Sequence, residues 1–541
     1  MPDMKRCYRV LLSTASGVLL SLAWLGFPGW TLFFAFFPLL ILDHFFVENK
    51  ASFRSISFWG HTFFSFLIWN GLTTWWIAHA TLVGALMAIV VNSFLMSLVF
   101  WLAHVALRNF RKNLGYIAWI VFWITFEFFH FHWDIEWPWL TLGNGFANQV
   151  KMVQWYEFTG TLGGTLWVLV MNVLLFKLFL TIKQKSGRYQ SQIGLVAGLL
   201  LVLFVPVIYS LISYFSYTEK ENPRNIVIVQ PNVDPYSESF DHAAEMEKLD
   251  NLIGLAESQA SEETDFIVGP ETIFESPLLN WDEANLFNNP YYQKLAQLTQ
   301  RYPKAEMVFG ATTLAFYDNE KSAPRTARKY QDKFYDVFNS AIFIEKSQQY
   351  QIYHKSILVN GVEKIPFMKY LGFLREIFID LGGASGSLGS QDEASVFVSH
   401  DGTKIAPVIC YESVFGEYLT SYIKKGAGLI FIITNDGWWK NTPGYKQHIS
   451  FARLRAIETR RSIARSANTG ISCFINQRGD IIQPTAWWTA TAIKGQLNVN
   501  DEMSFYVKYG DFIARISLFI SIMLVLYLIS VGLLKDKKNP H

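Results

Sequence analysis

Apolar runs long enough to cross a bilayer as helices, about 20 residues each, recur near residues 8–27, 30–47, 57–79, 81–107, 114–133, 161–182, 193–215 and 515–534. After Tyr217 the pattern changes. Short apolar or β-branched runs at 225–230, 265–269, 306–311, 338–344, 394–399, 404–410, 428–434 and 471–476 read as strands. Between some of them lie stripes at helical spacing. Met246, Leu249, Ile253 and Ala256 predict a helix over 243–257, and Ile449, Ala452, Ala456 and Ile463 predict one over 446–466. Strands and helices mixed at this density predict a layered sandwich with helices covering sheets. The expected organisation is a membrane domain over 1–217 with seven spans, a soluble α/β domain over 218–508, and an eighth span with a short tail over 509–541.

Charge gives these spans a direction. Lys and Arg cluster at the N-terminus (Lys5, Arg6, Arg9), at Lys50 and Arg54, at Arg108, Arg111 and Lys112, at Lys183, Lys185 and Arg188, and at Lys535, Lys537 and Lys538. The alternate loops near 28 and 80 carry none, and 134–160 has only Lys151. With eight spans every cluster falls on one side. The distribution of positive charge therefore predicts cytoplasmic termini and an outward-facing soluble domain. The first span resembles a signal peptide, but this parity requires that it be kept. Basic residues in short clusters form no stripe of the kind that binds nucleic acid. The Trp residues of Glu136-Trp137-Pro138-Trp139-Leu140 and Gln154-Trp155-Tyr156-Glu157 suit a belt at the headgroup level. His130 and His132, two apart on a helix, face different ways, and no metal is assigned to them.

Chemistry concentrates where strands end. The run Ala406-Pro407-Val408-Ile409 closes in Cys410, with Tyr411, Glu412 and Ser413 directly after it. A thiol at a strand's carboxyl end reaches a cleft, where α/β proteins gather their ligands. Glu271 follows Phe266-Ile267-Val268-Gly269-Pro270, and Lys355 follows Tyr350–His354, each at a comparable place. Taken singly these residues have ordinary readings: a turn glutamate, a solvated lysine and a core cysteine. Taken jointly they form a nucleophile, its base and a cationic partner. The cysteines at 7, 410 and 473 make no disulfide framework, although a Cys410–Cys473 bridge is open on sequence alone and would exclude a nucleophile.

At these residues the chain resembles the nitrilase superfamily, with its Glu–Lys–Cys triad on an αββα sandwich, and, with its spans, the apolipoprotein N-acyltransferases. The matching segments are Pro270-Glu271-Thr272, Tyr353-His354-Lys355, Cys410-Tyr411-Glu412, Thr434-Asn435-Asp436-Gly437-Trp438 and Asn468-Thr469-Gly470 in the soluble domain. In the membrane domain they are Trp139-Leu140-Thr141-Leu142-Gly143, the glycines at 160, 163 and 164, and Phe505–Gly510 before the last span. The resemblance implies a multi-pass helical membrane domain carrying an αββα sandwich, with Cys410 as nucleophile, Glu271 as base and Lys355 as triad lysine. Glu363, Tyr411 and Glu412 are supporting residues in that scheme. Phe240, Phe373, Phe378, Asn435 and Trp438 are candidates for lipid contact, Phe240 standing where some members carry tryptophan. Around Glu363 the chain reads Leu358-Val359-Asn360-Gly361-Val362-Glu363-Lys364, where the common pattern is close to Leu-Val-Pro-Phe-Gly-Glu-Tyr.

The implied activity moves an sn-1 acyl chain from a phospholipid, through a cysteine thioester, to the α-amine of a diacylglyceryl-cysteine at the N-terminus of an apolipoprotein. The alternative is a membrane-tethered amidase in which water takes the acyl group. The implied location is the bacterial inner membrane with the catalytic domain in the periplasm. The implied partners are phospholipid, diacylated apolipoprotein and the membrane. No nucleotide or metal motif is present, and no cofactor is expected. Segment 361–390, apolar and then rich in glycine, reads either as a buried helix with a flexible exit or as an arm that admits acyl chains.

Overall fold

A computed structural model of the chain describes residues 4–110, 112–183, 189–236, 242–272, 281–345, 347, 349–364, 366–367 and 388–538. Phe240, Phe373, Phe378 and most of segment 361–390 lie outside the described residues. The chain divides into two compact units: Met1–Ala78, Ala85–Ser216 and Tyr509–His541 form the first, and His79–Gly84 with Tyr217–Lys508 forms the second.

The first unit is helical. Among the described residues six helices are long and apolar enough to cross a membrane: Arg6–Leu25, Gly29–Glu48, Leu82–Asn109, Tyr156–Lys183, Gln190–Ser216 and Phe512–Val531. Two further expected spans fall on helices that do not reach that standard. Asn113–Phe129 is apolar but shorter, and Ile56–Thr74 carries His61 and Asn70 within its length. The chain turns at Gly160 (φ 60, ψ −169) inside Tyr156–Lys183, one residue before the expected span.

In the connector 134–160, Trp139 departs from the expected aromatic belt, whereas Trp137 and Trp155 are half-buried. Trp139, Leu140, Leu142, Phe146 and Tyr156 are buried within the unit. Tyr156 Oη donates to the Gly143 carbonyl at 2.9 Å, and a Cβ at Gly143 would lie 1.9 Å from the Thr161 carbonyl oxygen. Buried Glu127 accepts from Trp123 Nε1 and the Leu142 N–H, each at 2.9 Å, and from the Thr165 hydroxyl. A carboxylate so placed stays inside an apolar bundle only because its lone pairs are served.

The second unit holds β1 (Pro223–Gln230), β2 (Phe266–Val268), β3 (Glu306–Tyr317), β4 (Arg328–Tyr330), β5 (Lys333–Ile344), β6 (Tyr350–His354), β7 (Phe397–Val398), β8 (Lys404–Ile409), β9 (Leu429–Thr434), β10 (Ser462–Ala467), β11 (Cys473–Ile475), β12 (Ile481–Ile482) and β13 (Thr491–Asn498). One sheet runs β13-β1-β2-β3-β5-β4 with β6 on β5, and the other runs β12-β11-β10-β9-β8-β7. The centre of each is parallel: β1, β2 and β3 in the first, β8, β9 and β10 in the second.

Successive strand residues face opposite ways, and this sorts the core. Ile226 and Ile228 of β1 pack in one cluster with Val408, Ile430, Ile432 and Ile463 of the other sheet. Val227 and Val229 pack in another with Leu249, Leu252, Ala256 and Leu295, on helices His242–Gln259 and Pro290–Arg301. Helices Gly416–Lys424 and Pro443–Thr459 pack on β8, β10 and β11. The result is a four-layer αββα sandwich.

The second of these helices is shorter than its periodicity predicts. It starts at Thr442, whose side chain caps Gly444 N–H, and stops at Arg460 in the left-handed region. Ile463 therefore lies in β10, where burial on both faces hides the strand's period of two.

Candidate active site

Glu271, Lys355, Cys410 and Asn435 all stand just past the carboxyl ends of strands, β2, β6, β8 and β9 respectively. All are nearly enclosed, with exposures of 5%, 1%, 7% and 3%, so unpaired charge is costly here. The turn carrying Glu271 is pressed onto β3. A Cβ at Gly310 would sit 2.7 Å from Glu271 Cα, so only glycine lets the two backbones approach.

The charges are paired tightly. Lys355 Nζ lies 3.2 Å from Glu271 Oε1 and 2.9 Å from Glu363 Oε1. Asn339 on β5 gives Nδ2 hydrogens to the same two oxygens, at 2.8 and 2.9 Å. Glu271 Oε2 accepts the Asn435 N–H at 3.0 Å, and Glu363 Oε2 accepts the Val359 N–H at 2.7 Å. Glu363 is thus held by its own loop despite the unusual residues around it. Burial works against the Lys355 ammonium, yet Glu271 and then Glu363 raise its pKa and keep it charged. Burial, and then the Glu271 carboxylate, push the Cys410 thiol well above its usual range, with Lys355 pulling the other way. The resting sulfur is protonated and lies in the field of both groups. Cys410 and Cys473 are free and unbridged, which disposes of the disulfide alternative.

Glu412 joins the segments on which the nucleophile and the lysine sit. Its Oε2 accepts the N–H of Ile409, just before Cys410, at 2.8 Å. Its Oε1 accepts the N–H of Ser356, just after Lys355, at 2.7 Å, and Tyr353 Oη at 2.6 Å. Burial pushes its pKa up to about 7 against these donors. Glu412→Gln turns an amide NH₂ toward an N–H donor on one side. We expect it to lower stability by about 1–3 kcal/mol, the cost of one buried unsatisfied group. A melting curve alongside the catalytic rate checks this, and an unchanged Tm with an unchanged rate contradicts the clamp.

The remaining expected residues are more peripheral. Tyr411 is buried with its ring 5.1 Å from Phe415. The Trp438 carbonyl accepts Tyr236 Oη at 2.7 Å, and the two rings are 5.6 Å apart. Asn339 was not singled out from the sequence. It is a polar residue inside the apolar run Val337–Ile344, and that interruption was its only signal.

A family model for carbon-nitrogen hydrolases matches residues 226–504, and one for the apolipoprotein N-acyltransferase N-terminal domain matches residues 16–174. A protein named apolipoprotein N-acyltransferase from Chlorobaculum tepidum is 29% identical over 531 residues, covering 94% of this chain and 95% of that one. Proteins of the same name from Geobacter metallireducens and Pasteurella multocida are 27% and 24% identical, covering 95% and 94% of this chain and 94% and 93% of their own lengths.

Proposed function

Because the chain belongs to the carbon-nitrogen hydrolase family, we propose that Cys410, Glu271 and Lys355 carry out acyl transfer through a thioester, with phospholipid as donor and an apolipoprotein's N-terminal amine as acceptor. The observation that carries this reading is the union in one chain of a buried Cys–Glu–Lys site with an N-terminal segment, residues 16–174, that matches the acyltransferase model. A set of apolar helices makes this a multi-pass membrane protein, and a lipid donor is at hand in a membrane.

In the first step the thiol attacks the sn-1 ester carbonyl while Glu271 accepts the sulfur's proton, and Lys355 supports the oxyanion. The tetrahedral adduct collapses, the C–O bond breaks, and the lysophospholipid alkoxide takes the proton back from Glu271. In the second step the α-amine of a diacylglyceryl-cysteine attacks the thioester. Glu271 takes a proton from nitrogen, the C–S bond breaks, and the thiolate recovers its proton from Glu271. Asn435 keeps one oxygen of Glu271 engaged through its N–H, leaving the carboxylate oriented. Trp438, and Phe240, Phe373 and Phe378 with it, are assigned to the acyl path. The clustering of Lys and Arg supports cytoplasmic termini and a periplasmic soluble unit at the inner membrane.

The test is purified protein in detergent with phospholipid labelled in its sn-1 chain. The expected result is hydroxylamine-sensitive label mapping to the Cys410 peptide, then passing to the α-amine of a diacylated lipopeptide with ping-pong kinetics. Label released by water at the same rate with and without lipopeptide supports the amidase alternative instead. A folded wild type that takes no label sinks both.

A further inference from the structure

Cys410 has φ +50, in the left-handed region that residues with a Cβ avoid. Such a conformation persists only where its surroundings over-determine it. Beside the Glu412 bond to the Ile409 N–H, two bonds end on the Cys410 carbonyl, which accepts Ser413 Oγ at 2.7 Å and His448 Nε2 at 3.2 Å. Nε2 also lies 3.0 Å from Ser413 Oγ, so the ring faces both the Cys410 carbonyl and the hydroxyl bonded to it. The other ring nitrogen, Nδ1, lies 2.9 Å from Asp436 Oδ1, and Asp436 Oδ2 accepts Arg465 Nη2 at 2.8 Å. Arg465 is anchored in turn by Nη1 on the Ile471 carbonyl at 2.7 Å.

These residues come from three elements: the turn after β9, the helix Pro443–Thr459, and β10. All three side chains are buried. The backbone makes room for them, since a Cβ at Gly470 would lie 2.4 Å from Asp436 Oδ2. None of these bonds reaches Glu271, Lys355 or Glu363, although Asp436 Oδ1 also accepts Thr434 Oγ1 at 3.0 Å and the Asp436 charge acts on the Cys410 thiol. A trans peptide is planar, so holding the Cys410 carbonyl toward His448 turns the Tyr411 N–H to the opposite side. The same bonds therefore fix the peptide plane between Cys410 and Tyr411.

We propose that Arg465, Asp436 and His448 form a buried positioning relay that holds the backbone of Cys410 in its left-handed conformation and so aims its sulfur. The proposal rests on Cys410 being the nucleophile. The three are positioning residues, acting through Cys410 and touching no substrate.

The test compares His448→Phe, His448→Gln and His448→Asn in the full chain. A glutamine amide reaches where Nε2 sits, an asparagine amide only where Nδ1 sits, and phenylalanine keeps the ring without a donor. Two rates are read per folded molecule, with the folded fraction taken from thermal melting. One is alkylation of Cys410 by iodoacetamide, followed by peptide mass spectrometry and needing no lipid. The other is single-turnover loading of labelled acyl chain over a range of phospholipid concentrations.

Misplacing a reacting group by about 1 Å costs on the order of 100-fold. We expect about that loss in both rates for His448→Phe, with the half-saturating lipid concentration unchanged. His448→Gln should recover to within about tenfold of wild type on the same scale, and His448→Asn should not. A His448→Phe protein that reacts at the wild-type rate per folded molecule overturns the relay, as does an Asn variant that recovers as well as Gln. If His448→Phe does not fold, the Gln–Asn contrast decides alone. A wild type that is alkylated at Cys410 but takes no acyl label overturns the acyl-transfer reading only, because alkylation still reports positioning.

Discussion

Cys410→Ala is expected to abolish both the covalent acyl-enzyme and net transfer, and Cys410→Ser, which keeps the size of the side chain, to lose at least about 10⁴-fold in rate, as removing a nucleophile does elsewhere. A free thiol ionises near about 8.5, and in this site burial and Glu271 raise it further. A hydroxyl is far less acidic still, so a carboxylate base that can assist the thiol cannot assist serine to the same extent. Both variants should fold. Lys355, Glu271, Glu363 and Asn339 pair among themselves, and Glu412 takes the Ile409 and Ser356 N–H groups without using the sulfur. The readout is labelled acyl chain on protein and on lipopeptide, with melting as the folding control. Transfer by Cys410→Ala at a rate comparable to wild type removes the thioester from the mechanism.

Lys355→Met has the second large effect, on rate and stability together. The lysine is the cation between two carboxylates, 3.2 Å from buried Glu271 and 2.9 Å from half-buried Glu363. Without it the Oε1 atoms of both carboxylates depend on the same amide of Asn339. Breaking a buried ion pair by removing one partner costs about 3–5 kcal/mol, and losing one oxyanion donor costs about 10²–10³ in rate. Melting curves with single-turnover acylation check both parts, and a variant as stable as wild type contradicts the arrangement of carboxylates described above.

Much of this site was legible beforehand because its residues sit at punctuation in the hydrophobic pattern. Glu271 follows Gly269-Pro270, and Cys410 closes an apolar run, so each announces a strand's end locally. The relay residues announce nothing. Asp436 belongs to a matched motif but carries no sign of its partners, and His448 and Arg465 lie inside segments that read as core. β10 was absorbed into the preceding helix because a strand buried on both faces has no alternation to reveal it. β13 pairs with β1 along its length, but its residues Lys494, Gly495 and Gln496 interrupt any apolar run. Trp139 reads as a headgroup-level aromatic and proves buried, since the same amphipathic ring suits an interface or a packed loop.

The linear chain carries its own account of which segments are apolar enough for a membrane, where strands end, and which side chains with chemistry stand at those ends. These are local properties, set by residue type and by spacings of 2 and 3.6. The pairing of Lys355 with two carboxylates, the sharing of Asn339, and the grip of Glu412 on Ile409 and Ser356 came only with the folded sandwich. So did the left-handed backbone at Cys410. Each joins residues far apart in sequence through hydrogen bonds whose strength depends on shared burial, and burial is a property that no single segment of chain possesses.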